Sequence, residues 1–133
     1  MTYNPKEYWE LRGVNYSPSP AAKELELAAG LLFRGKHKIR SILEIGPGNG
    51  RLYKYYVKEK EYIEARYYDM VDISESMAAN CERQTGRKPV IWDGRKLPYT
   101  GRAFDCIISF YVWLHVPPAD IASQIKESVR VAD

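Results

Sequence analysis

Three glycines at alternate positions, in Glu44-Ile45-Gly46-Pro47-Gly48-Asn49-Gly50, constrain this chain more than any other stretch. The run follows Ile39-Arg40-Ser41-Ile42-Leu43, which predicts a buried parallel strand, and precedes Leu52–Lys58, which predicts a helix. A strand passing into a helix over alternating glycines brings bare backbone close to a ligand. Glycine accepts positive φ and has no Cβ to hold the ligand off. The following helix points unpaired N–H groups and the positive end of its dipole into the same space. The spacing is G-x-G-x-G rather than the G-x-G-x-x-G of dinucleotide sites, so a plain NAD-binding domain fits poorly. The bland alternative is a tight turn, but the acid two residues before the first glycine favours a nucleotide-type site.

The rest of the chain repeats the strand–helix alternation. Residues 1–17 are rich in aromatics and read as an irregular lead-in. Ser19-Pro20 reads as N-cap and first helical residue, with Leu25, Ala28, Ala29 and Leu32 at helical spacing and Gly35 as the stop. Arg66–Val71 predicts a second strand ending at Asp72. Glu75–Arg83 predicts a helix with Met77, Ala78 and Cys81 inward and Gly86 at its end. Pro89–Trp92 predicts a third strand ending at Asp93-Gly94, and Phe104–Phe110 a fourth, apolar enough for burial on both faces. Pro117-Pro118 opens a last helix with Ile121, Ile125 and Val129 as its inward stripe. Such alternation implies right-handed crossovers and a parallel sheet. Ligands of such sheets sit outside the carboxyl ends of the strands. Four polar or glycine-rich tips meet at that edge: the Gly46–Gly50 loop, Asp72, Asp93, and Tyr111 to His115.

Composition excludes several classes. The 133 residues make one domain, and 45% hydrophobic content fills a core. A net charge of +3 without a dense basic tract argues against nucleic acid. No apolar run approaches the ~20 residues that span a membrane, and the N-terminus lacks a signal-peptide core. Cys81 and Cys106 have neither disulfide-framework nor metal-ligand spacing, which suits reduced thiols in the cytoplasm and no metal site. His37, among Lys36, Lys38 and Arg40, reads as surface.

From about Ile39 to Pro117 the chain resembles the class I S-adenosylmethionine-dependent methyltransferases. Glu44–Gly50 resembles their first motif, and Val71-Asp72-Ile73-Ser74-Glu75-Ser76-Met77 their second. Asp93-Gly94 with Leu97-Pro98-Tyr99 resembles the segment around the adenine. Phe104–Ser109 running into Trp113-Leu114-His115-Val116 resembles the fourth motif of small-molecule members. The resemblance implies a Rossmann-like α/β fold with strand order 3-2-1-4. It divides the single domain into a helical lead-in over 1–38 and a cofactor-binding core over 39–133. It implies S-adenosylmethionine as cofactor, S-adenosylhomocysteine as product and a small-molecule acceptor.

Residue by residue, the resemblance puts the ribose diol on Asp72, whose carboxylate offers two acceptors. Asp72 as a helix cap is the weaker alternative, because Ser74 caps better. The adenine amine falls to Asp93 beside Gly94, although Asp-Gly is also a common turn pair. Gly46, Pro47, Gly48 and Gly50 form the loop around the methionine moiety, with Glu44 favouring its ammonium. Ile73, Met77 and Leu97 are candidates to sandwich the base, and Met77 also suits the core. His115 is the candidate base for an acceptor that must lose a proton; the alternative is a loop histidine before Pro117. Tyr111 and Trp113 either wall an acceptor pocket or are core. Tyr8, Trp9, Arg12 and Tyr16 resemble a segment that folds over the cofactor in some relatives, with Arg12 placed for its carboxylate.

Relatives continue into a fifth strand and a reversed hairpin, whereas this sequence ends at Ser128–Asp133. The C-terminal strands are therefore expected to be absent, as in a fragment or a naturally short member. Strand four then becomes an apolar edge, and its pairing with a second copy in a homodimer is the expectation. The competing readings are a non-catalytic cofactor-binding subunit or degenerate copy, and a polyamine synthase. The acidic acceptor-site signature of the latter is not evident between Asp93 and His115.

Overall fold

The computed structural model describes residues 3–18, 23–34, 38–61 and 65–133. Its elements are α1 (Pro5–Gly13), α2 (Lys23–Phe33), β1 (Ser41–Ile45), α3 (Arg51–Glu59), β2 (Tyr67–Asp72), α4 (Glu75–Thr85), β3 (Val90–Ile91), β4 (Cys106–Ser109), a 3₁₀ turn (Trp113–His115) and α5 (Pro118–Val131). The sheet is parallel throughout, in the order β3-β2-β1-β4. This is the parallel sheet that the strand–helix alternation predicts, in the 3-2-1-4 order that the family resemblance implies.

Alternation along the strands sends two cores to opposite faces of the sheet. Ile42, Tyr68, Met70 and Ile108 pack against Leu25, Ala29 and Phe33 of α2, Leu52 and Tyr56 of α3, and Cys81 of α4. Leu43, Ile45 and Val71 pack on the other face with Trp92, Leu97, Phe104 and Val131. β1 is buried on both sides because helices cover both, as a central parallel strand requires.

Several expectations need correction. Residues 5–13 are helical, not irregular: Asn4 caps the helix by accepting from the Lys6 and Glu7 N–H groups, and Pro5 opens it. β1 starts and ends two residues later than the apolar run suggested, reaching Ile45 at the edge of the glycine loop. The inward face of α5 is Gln124, Ser128 and Val131, whereas Ile125 and Val129 are exposed. Polar anchors rotate the helix: Glu127 accepts from the Leu97 N–H, Arg130 donates to the Leu97 and Tyr99 carbonyls, and Gln124 donates to the Gly94 carbonyl. β4 is shorter than expected and only half-buried apart from Ile108. Beside it, Ala132 bridges in parallel to Phe104. The Ser19-Pro20 cap, the Gly35 stop and His37 lie outside the described residues.

α1 is fastened to the start of α4 by side chains. Glu10 accepts from the Glu75 and Ser76 N–H groups at 2.6 and 3.1 Å. Those are first-turn donors with no partner inside their own helix. The Ser74 hydroxyl accepts from the Met77 N–H, so a cap from within the chain segment and one from another helix share the work. Asn80, buried, donates to the Gly13 and Tyr16 carbonyls. A Cβ on Gly13 would lie 2.3 Å from the Ser76 hydroxyl, so only glycine permits this approach.

Candidate active site

The carboxyl ends of the strands, α1 and the 3₁₀ turn enclose a cavity of about 120 Å³. Its walls include Ile45, Gly46 and Gly48 from the glycine loop, Asp72, Ile73 and Met77 from the β2–α4 junction, and Trp92 after β3. Trp9 and Tyr16 close it from the N-terminal segment, Tyr111, Val112 and His115 from beyond β4, and Gln124 from α5.

The loop geometry depends on the glycines. Gly46 and Gly48 have φ of +67° and +61°. A Cβ on Gly46 would lie 2.4 Å from a Val112 methyl, and one on Gly48 would lie 3.1 Å from the Tyr16 ring. The Gly46 N–H is held by the Val71 carbonyl at 2.8 Å, which ties the loop to β2. Bare backbone therefore forms that wall. Gly50 serves a different purpose: it starts α3 at φ +81°, and Thr85 blocks any Cβ there.

Asp72 ends β2, 6% exposed. Its Oδ1 accepts from the Ser74 N–H at 3.0 Å. Burial pushes its carboxyl up to about 7, although the Ser74 and Ile73 N–H groups pull the other way. A buried carboxylate on a cavity wall, short of donors, is suited to a ligand that brings hydroxyls or a cation.

Glu44 sits apart from the cavity wall. It is buried among the α2–α3 core, where its Oε2 accepts from the Tyr68 hydroxyl at 2.6 Å. Burial also raises this carboxyl to about 7, against the opposing effects of Tyr68 and Arg51. Glu44 thus lies behind the loop.

His115 is enclosed by rings. Its Nδ1 lies 3.3 Å from the Tyr3 hydroxyl, the Trp9 ring stands perpendicular at 4.9 Å, and Tyr8 stacks at 5.9 Å. Tyr111 takes a left-handed φ of +58°, uncommon for a residue with a side chain. Strain of this kind clusters at ligand sites. Its hydroxyl pairs with Glu24, whose charge raises the phenol above its ordinary value.

The cavity thus gathers Gly46, Gly48, Asp72, Ile73, Met77, Tyr111 and His115 from the sequence-derived set. Glu44, Pro47, Gly50, Asp93 and Gly94 are not on its walls. Asp93 is exposed, with Oδ1 accepting from the Arg95 and Lys96 N–H groups, which hold its carboxyl below the ordinary value. Leu97 is in the core, 1% exposed, and Arg12 stacks outside on Tyr8 at 4.5 Å. Trp92 and Gln124 are cavity residues that sequence reasoning missed. Trp92 carried a signal, since it immediately precedes a strand-tip acid. Gln124 carried none, being one polar residue on a helix.

Among the described residues no cluster of His, Cys, Asp or Glu could hold a metal ion, and no helix is long and apolar enough to cross a membrane. Both thiols are free.

The family model for a methyltransferase domain matches residues 43–133, more than half of the chain. The chain belongs to this methyltransferase-domain family. No curated protein matches it in sequence. Among solved structures, the fold is shared with the YcgJ protein of Bacillus subtilis (20% identity, TM-score 0.63, covering 84% of this chain and 46% of that one). It is shared also with the magnesium protoporphyrin IX methyltransferase of Synechocystis with bound S-adenosylmethionine (16%, 0.70, covering 96% and 70%). A third is the phosphoethanolamine N-methyltransferase 1 of Haemonchus contortus, in complex with phosphoethanolamine and S-adenosylhomocysteine (14%, 0.70, covering 96% and 29%). The methyltransferase-domain chain described here spans about half the length of YcgJ. The β3-β2-β1-β4 order and the glycine loop at the tip of β1 are the class I, Rossmann-like features of the fold.

Proposed function

We propose that this domain binds S-adenosylmethionine in the strand-tip cavity and transfers its methyl group to a small-molecule acceptor. The observation that carries the reading is the pairing of a bare glycine wall, Gly46 and Gly48, with the buried carboxylate of Asp72 on one cavity. The residues fit the cofactor. Asp72 offers acceptors to a ribose diol, and Gly46 and Gly48 present backbone without side chains to the same cavity, for the amino-acid tail. Ile73, Met77 and Trp92 supply apolar surface for a base. Glu44, behind the loop, contributes negative charge when ionised, acting on the cofactor's ammonium through the loop or a water. Asp93 and Gly94 stay with the segment after β3 and shape its approach to the base.

When bound, the sulfonium supplies an electrophilic methyl group and a neutral leaving group, so the protein's share is chiefly positioning. The chain's residues hold and enclose. Trp9 and Tyr16, fixed through α1, exclude water, and Tyr111 and His115 face the acceptor side. With the tautomer in which Nδ1–H donates to Tyr3, His115 keeps its Nε2 lone pair for an acceptor's proton.

Calorimetric titration with S-adenosylmethionine and S-adenosylhomocysteine, with NAD as control, tests the cofactor half. Saturable binding of the first two alone is expected, and its absence refutes the reading. A labelled-methyl acceptor screen tests the catalytic half: binding without transfer to any acceptor favours the non-catalytic subunit. The outer edge of β4, just past the Phe104–Ala132 bridge, is proposed to pair with a second copy. A strictly monomeric species in light scattering at micromolar concentration excludes that pairing.

A further inference from the structure

We propose that Gln124 reads the ligand: its side-chain carbonyl accepts a hydrogen bond from the exocyclic amine of a purine base. The proposal rests on the nucleoside-binding reading above and adds a residue that reading does not supply. Gln124 lies on the buried face of α5, 8% exposed, and forms part of the cavity wall together with Ile73 and Trp92. Its Nε2 donates to the Gly94 carbonyl at 3.2 Å. A carbonyl oxygen only accepts, so this contact fixes which end of the amide faces Gly94. The other end, Oε1, is buried and has no hydrogen-bond partner.

A buried acceptor without a donor is uncommon, because burial without a partner is unfavourable. A leucine at this place would pack against the same apolar neighbours without that penalty. The polar residue makes sense if a ligand brings the donor. The surroundings select the donor's type. Trp92 and Ile73 offer flat apolar surface of the kind a base occupies, and Asp72, at the next strand tip, is the acceptor suited to a diol. Gly94 takes φ +78°, a conformation that favours glycine, with Gln124 Nε2 and Ile73 in van der Waals range of it. Asp93, which would otherwise be the acceptor for a base amine, is exposed and engaged with the Arg95 and Lys96 N–H groups.

The test compares two ligands that differ at the purine 6-position and the adjacent N1, S-adenosylhomocysteine (6-amino, N1 an acceptor) and S-inosylhomocysteine (6-oxo, N1–H a donor). Calorimetry on the wild-type protein should give about tenfold tighter binding of the amino form. Gln124→Leu should weaken the amino form about tenfold and leave the oxo form nearly unchanged, so that the preference disappears. Gln124→Met, unbranched and likewise without an acceptor, serves if leucine disturbs the fold; thermal melts of the unliganded variants identify that case. A folded Leu or Met variant that keeps the wild-type preference overturns the proposal while the nucleoside reading stands. Loss of the preference in Asp93→Ala but not in the Gln124 variants overturns it as well. Failure of the wild-type protein to bind either ligand overturns the nucleoside reading itself.

Discussion

Replacing Asp72 by asparagine should make the unliganded protein more stable and the binding site worse. Asparagine keeps an oxygen to accept from the Ser74 N–H, so the local turn survives. What it removes is a buried charge. The gap between the ordinary carboxyl value of 3.8 and about 7 corresponds to about 4 kcal/mol at ~1.4 kcal/mol per pH unit. The sign follows from proton binding. Below about pH 4 both folded and unfolded chains hold the Asp72 proton, and folding loses nothing. As pH rises toward 7 the unfolded chain releases it first, so stability falls. Above about 7 both are ionised and the full penalty stands.

Access of water to the cavity offsets part of that penalty. We expect Asp72→Asn to gain about 2 kcal/mol at pH 8 and about 1 kcal/mol at pH 5. Denaturant unfolding at the two pH values measures both. Cofactor binding should weaken about 100-fold, because a neutral amide replaces two charge-assisted bonds to a diol. A variant less stable than wild type at pH 8, with affinity intact, would refute both the burial argument and the ribose assignment.

Other outcomes follow from the same contacts. Tyr68→Phe leaves Glu44 buried without its 2.6 Å donor and should cost about 2 kcal/mol. Because that donor favours the ionised carboxyl, the loss should be larger at pH 8 than at pH 5, as unfolding curves would read. Gly46→Ala forces a side chain into φ +67° and a methyl against Val112; a loss of about 2 kcal/mol in thermal melts, with binding abolished, is expected. Glu10→Ala frees two first-turn N–H groups of α4. It should cost about 1 kcal/mol and raise amide hydrogen exchange across Pro5–Gly13 well above that of the sheet.

The fold was legible where local chemistry repeats the global answer. Gly46, Gly48 and Gly50 all take positive φ, so the loop's conformation was written in residues with no alternative use. Ser74 and Gly86 cap α4 from either end, as their types predict. α5 was misread because an apolar count ignores anchoring. Ile125 and Val129 look inward by type, yet Glu127 and Arg130 lock onto the 97–99 loop and turn Gln124 and Ser128 to the core. The bounds and docking of α1 escaped the sequence for a related reason. Its apolar residues do not form one stripe, and its docking rests on Glu10 and Gly13, whose partners are more than sixty residues away. A single-sequence pattern carries local periodicity and not such distant pairings.

The site divides along the same line. Residues on strand tips, Asp72 and Gly46 among them, could be placed because parallel topology dictates where such tips go. Gln124 could not, since the reach of a residue on α5 depends on a rotation set by long-range anchors. The two buried acids make the functional point. Glu44 and Asp72 both sit at the upper end of adjacent strands; burial raises both carboxyls, and the charge of Asp72 adds to the cost of ionising Glu44. A sequence shaped for stability alone would carry amides or apolar residues there. Two carboxyls whose ionisation burial opposes, one on the cavity wall and one behind its glycine loop, fit the proposed site, where a bound cation or hydroxyl-bearing ligand would compensate the charge. The Asp72→Asn experiment separates that compensation from simple destabilisation, because a ligand that compensates the charge must lose affinity as the unliganded fold gains stability.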